Sequence, residues 1–175
     1  MKRYGFLAGA IAALLLLTTH SAATADPNRG QGRRLKAEIS GFEEVPTLST
    51  TGHGEFDARI SNDGASVDYV LSYDGLESDI LQSHIHLGAP AVNGGIMVFL
   101  CTNLGNGPPG TPTCPVPSGT VEGTFDAADV VGPVAQGVSP GEFEEVIRAL
   151  RAGAAYVNVH TVDRPAGEIR GQVND

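Results

Sequence analysis

Two histidines separated by a single residue, in Ser83-His84-Ile85-His86-Leu87-Gly88, are the part of this sequence best suited to chemistry. Side chains alternate along a strand, so His84 and His86 share one face and leave Ile85 and Leu87 on the other. A third, His160, ends Tyr156-Val157-Asn158-Val159-His160. There Val157 and Val159 claim the core side, and Tyr156, Asn158 and His160 face outward. If the two strands are neighbours, three imidazoles converge on the outer face of a sheet. Neutral imidazoles ligate zinc and copper, and three of them leave a position open for water or another ligand. The competing assignment gives each imidazole a hydrogen bond to a backbone carbonyl or a carboxylate under a loop, which it then fixes in place. His53 falls on the polar side of a different strand.

The charges around this trio qualify the metal assignment. If residues 163–167 close the last hairpin, Arg170 lands beside His160, where a guanidinium repels a cation unless Glu168 or another carboxylate pairs with it. The same arrangement would suit an anionic ligand. Asn158, Arg170 and Glu168 are therefore the expected neighbours of any ligand, although Glu168, Arg170 and Gln172 also read as a solvated or ion-paired outer row. Glu43 and Glu44 are adjacent and point to opposite faces if extended, which favours an exposed or loop-fixing role over a catalytic pair. No Gly-x-Ser-x-Gly elbow, phosphate loop or dinucleotide fingerprint occurs, so nucleophilic and nucleotide chemistries lack their local signatures and no catalytic residue is assigned.

The elements that must position these residues are short strands. Leu35, Ala37 and Ile39 alternate with polar residues up to Gly41. Phe56, Ala58 and Ile60 alternate before Asp63-Gly64, and Val67, Tyr69 and Leu71 after it. A two-residue type I′ turn at Asp63-Gly64 pairs Ile60 with Val67, Ala58 with Tyr69 and Phe56 with Leu71, and sets Arg59 opposite Asp68. Further strands are expected over 80–87, 96–102, 120–125, 155–162 and 168–173, about eight in all, as in an antiparallel sandwich or barrel. Ser139-Pro140-Gly141-Glu142 has a capping-box outline with Ser139 as N-cap. Phe143, Val146, Ile147 and Leu150 follow at helical spacing, up to a stop at Gly153.

Cys101 and Cys114 flank a segment crowded with Gly and Pro. No Lys, Arg or His lies near either in sequence to activate a thiol, and in an oxidising compartment such a pair forms a disulfide. The compartment is read from residues 1–25: Lys2 and Arg3, an apolar run from Ala8 to Leu17, and Ala23-Thr24-Ala25 have the form of a secretory signal peptide. Residues 26–34 then form a polar, flexible lead, and 35–175 one domain built of these strands, secreted or periplasmic. The formal charge is −9, and losing Lys2 and Arg3 makes the remainder more acidic. Such a surface repels phosphate backbones and anionic lipid, which argues against nucleic-acid binding. No apolar run after Ala25 approaches the ~20 residues of a membrane span.

With these segments in place the chain resembles the CHRD family, the domain named after chordin, from about Leu35 to Val173. The resemblance rests on Ser40-Gly41-Phe42-Glu43-Glu44-Val45-Pro46, on His84-Ile85-His86-Leu87-Gly88, on Asn158-Val159-His160-Thr161, and on Gly167-Glu168-Ile169-Arg170-Gly171-Gln172. It implies an all-β, antiparallel Greek-key or immunoglobulin-like sandwich with one short inserted helix. It also implies an exported binding or structural module for an extracytoplasmic ligand or protein, with no assigned reaction. The alternative is a copper- or zinc-binding protein using His84, His86 and His160. His84-Ile85-His86 with Gly88 is also similar to the copper motif of copper/zinc superoxide dismutases. The bridging histidine and zinc-ligand cluster of those enzymes are missing here, so the likeness does not extend to dismutase activity.

Overall fold

The structure is a computed structural model that describes Met1 and residues 34–175. The export segment read over residues 1–25 therefore lies outside the described residues, Met1 excepted. Eight strands form: β1 (Arg34–Ser40), β2 (His53–Ile60), β3 (Val67–Asp74), β4 (Ile80–Leu87), β5 (Ile96–Thr102), β6 (Gly119–Phe125), β7 (Ala155–Thr161) and β8 (Ile169–Gln172), with helix α1 (Phe143–Arg151) between β6 and β7. All pair antiparallel in the order β5-β4-β7-β8-β1-β2-β3-β6. The all-β, antiparallel class with one helix is as expected. Hydrogen bonding is continuous across all eight strands. The sheet rolls nearly into a barrel, and Tyr69 Oη on β3 reaches across to donate to the Leu100 carbonyl on β5 at 2.6 Å.

Alternation dictates this curvature. On β1, β2 and β3 every second side chain is buried, from Leu35, Ala37 and Ile39 through Phe56, Ala58 and Ile60 to Val67, Tyr69 and Leu71. The β2–β3 register pairs Ile60 with Val67, Ala58 with Tyr69 and Phe56 with Leu71, because a slip by one residue would turn this whole apolar row into solvent. The turn itself is wider than a type I′ turn. Gly64 takes the positive φ of 71°, but Asp63 does not. Instead Ser61 Oγ and Asp63 Oδ1 accept the backbone N–H groups of Ala65 and Ser66.

Helix α1 starts at Phe143 and not at Pro140. Gly141 sits at φ 86°, a left-handed conformation that cannot propagate a helix. Glu142 reaches back to accept from Ser139 N, which is half of the expected box, used here to close a turn. Phe143, Val146, Ile147 and Leu150 all face the core. Cys101 and Cys114 are joined, tying β5 to the far end of its Gly/Pro loop. No helix among the described residues is long and apolar enough to cross a membrane.

Candidate metal centre

β4 and β7 are neighbours, and their register sets Gln82 opposite His160, His84 opposite Asn158 and His86 opposite Tyr156. Ile85, Val157 and Val159 fill the core side with no exposure. This leaves the even-numbered residues of both strands on the other face, as the alternation requires. The three imidazoles meet there. Their ring centroids are 4.9 Å apart for His84 and His160, 5.3 Å for His84 and His86, and 5.8 Å for His86 and His160. One ring nitrogen from each lies within 4.8 Å of the others.

The expected outer, solvated face is corrected by the structure: His84 is 0% exposed, and His86 and His160 7% each. Loops cover it. The chain between β4 and β5 lies over His86, whose Nδ1 is 3.0 Å from the Gly94 carbonyl. The turn before β8 lies over His160, whose Nδ1 is 3.1 Å from the Pro165 carbonyl. A carbonyl only accepts, so in both rings the proton sits on Nδ1 and the lone pair on Nε2. Neither Nε2 has a hydrogen-bond partner, and both nitrogens of His84 are without one. Phe99 packs edge-on against His84 at 4.4 Å and Tyr156 stacks flat on His86 at 4.8 Å.

Burial outweighs every other influence on these rings. It pushes His86 and His160 down to about 4, against the raising effect of their carbonyl hydrogen bonds, and His84 to about 2. All three are neutral at pH 7, the ligating form. Zinc holds nitrogen at ~2.0–2.1 Å, which places tetrahedral ligand atoms roughly 3.4 Å apart. Side-chain rotations that contract the present cluster by about 1.5 Å would reach that geometry.

The other expected site residues divide. Asn158 and Arg170 stand in one cross-strand row with Phe99 and His84. Arg170 is 1% exposed and faces Asn158 in the register, which corrects the placement beside His160. Its guanidinium lies 3.5 Å from the centroid of Tyr156 and donates to Ala89 O, Val92 O and Asn93 Oδ1. The cation is thus spent on fastening the loop that holds Gly94. Glu168 is no part of a solvated row: it is fully buried and accepts from Thr50 Oγ1, Glu77 N and Thr161 Oγ1. His53 is exposed on β2, bonded to Thr51 O.

One further residue belongs to this site, in the loop-fixing role. Glu44, expected to be exposed or loop-fixing, is 7% exposed, and its Oε2 accepts from Asn158 Nδ2 at 3.4 Å. Burial pushes its carboxyl up to about 6, against the lowering effects of that hydrogen bond and of the Arg170 charge. Only the loop's return over β7 brings it here, and no local pattern encodes that return. The CHRD-domain family model matches residues 35–173. No curated protein and no solved structure matches the chain.

Proposed function

The chain belongs to the CHRD-domain family, which marks it as a binding or structural module with no assigned reaction, and we propose that what it binds is one copper or zinc ion, held by His84, His86 and His160. Four unpartnered imidazole nitrogens, on three rings that converge in one buried cluster, carry this reading. A buried polar atom without a partner costs about 1–3 kcal/mol, and a cation is the partner that lone pairs on several convergent rings share. Two of the rings are already oriented by Nδ1–H bonds to loop carbonyls, the arrangement that fixes tautomer and direction in metal-binding histidines. The group of potential ligands among the described residues is three histidines, and both cysteines are committed to the disulfide. Three imidazoles leave a coordination position for water or a small ligand, and imidazole serves zinc and copper alike.

The rings also fasten two loops, so the loop-fixing role and the ligand role use different nitrogens of the same residues. Export to a secreted or periplasmic setting belongs to the same proposal, supported by the signal-like residues 1–25 and by the disulfide; N-terminal sequencing of exported protein should begin at Asp26.

The deciding experiment is metal analysis after loading with zinc or copper and exhaustive dialysis. About one ion per chain should remain. His84→Ala, His86→Ala and His160→Ala should each remove it, and His53→Ala should not. A wild-type protein that retains no metal, or substitutions that destabilise the fold while leaving metal content unchanged, would refute the proposal.

A further inference from the structure

His84 differs from the other two histidines. His86 and His160 each have an acceptor for the Nδ1 proton, but both nitrogens of His84 are buried and unpartnered. A ring that ligates a metal through one nitrogen carries its proton on the other, and that proton needs an acceptor in a site closed to water.

The unpartnered side-chain acceptors buried among the described residues, the imidazoles apart, are Glu44 Oε1, Asn158 Oδ1 and Gln172 Oε1. Gln172 faces Tyr156 in the strand register, one row away, whereas Asn158 is the direct cross-strand partner of His84 on the same face. Directly opposed side chains in antiparallel strands have Cβ atoms about 4.5–5.5 Å apart, within reach of an amide and an imidazole. Glu44 settles which way the amide is turned. Its Oε2 accepts the Asn158 Nδ2–H, which fixes the nitrogen end and leaves the amide oxygen without a partner. Gly167 closes the far side, where a Cβ would fall 2.5 Å from Asn158 Oδ1 and 2.6 Å from Glu44 Oε1, so the pair is packed in by backbone alone. The last torsion of an asparagine is soft, so rotation about it is the motion that would bring Oδ1 to the ring.

We infer that Asn158, held by Glu44, is the positioning residue for His84: its amide oxygen accepts the imidazole proton when His84 ligates. This rests on the proposed metal site, and it makes the third ligand one that is ordered by the metal, in contrast to the two fastened in advance by the loops.

The test is a zinc and copper titration of the wild-type protein, Asn158→Leu, Asn158→Asp and Glu44→Ala. Asn158→Leu keeps the bulk and removes the acceptor, and it should weaken zinc binding about 10- to 100-fold. It should also shift the copper(II) electron paramagnetic resonance spectrum, while the melting temperature of the metal-free protein falls, since Glu44 Oε2 loses its Nδ2–H donor. Asn158→Asp retains an acceptor oxygen and should restore tight binding. Glu44→Ala, in a loop outside the sheet, should weaken zinc several-fold and gives an independent reading if a β7 variant does not fold. Wild-type affinity and an unaltered copper spectrum in Asn158→Leu, or wild-type affinity in Glu44→Ala, would overturn the inference while leaving the three-histidine site standing. No binding by the wild-type protein would overturn both.

Discussion

Acidification from pH 7 to pH 5 should strip the metal-free protein of about 4 kcal/mol of folding stability, and the imidazole cluster is the reason. His86 and His160 titrate near 4 in the fold and His84 near 2, against 6.5 in an unfolded chain. The native rings therefore stay neutral while the unfolded chain takes up protons. Their contribution is complete above about pH 6.5 and falls away as the pH drops toward the native values, the direction expected of a base whose native pKa is depressed. Over this interval each imidazole gives up about 2 kcal/mol. Glu44 runs the other way: its native value of about 6 lies above the usual 4.5. The folded state protonates first, returning roughly 1 kcal/mol as the pH falls. Urea denaturation at the two pH values with a chelator present measures the difference. Repeating it with saturating zinc should shrink the loss, because a ligated ring holds its lone pair against the proton. A change below about 1 kcal/mol in the metal-free protein would refute the assignment of three buried, neutral rings.

Two further perturbations probe the frame around the site. Reducing Cys101–Cys114 should cost about 3 kcal/mol, the chain-entropy value for a loop of this size, read as a lower denaturation midpoint under reducing conditions. Gly94→Ala places a Cβ onto the Leu87 carbonyl, so the loop must shift, the Gly94–His86 bond must break, and zinc affinity should fall by at least tenfold in a competition titration.

Much of the frame was legible because burial enforces it locally. The alternation in β2 and β3 specifies their register to the residue, and the same alternation places His84, His86 and His160 on one face. What could not be read was the roof. The alternation separates core from non-core and says nothing of whether the non-core face meets water. Loops fold over β7 until all seven of its residues are buried, and this turns an expected solvated row into Arg170 and Glu168 with interior partners. Glu44 takes the expected loop-fixing role, but its partner could not be read for the same reason, as its contact with Asn158 spans 114 positions of chain. The helix start was misread because Gly141 overrides the cap pattern with its left-handed backbone. The single rolled sheet depends on β1 meeting β8, a pairing between opposite ends of the domain that no local period announces.

The carbonyl bonds that orient His86 and His160 come from the segments lying above them, so the latches on the roof and the proposed ligands are the same side chains. An ion bound as proposed would pass this roof when the Gly94 and Pro165 carbonyls lift, and lifting them would release the rings that grip it. Exchange is then governed by the frequency of that opening, and residence time becomes a property of the loops. A chelator added in growing excess would strip the ion no faster once each opening leads to capture. Whatever its equilibrium affinity, a centre built this way would behave as a store with a slow door.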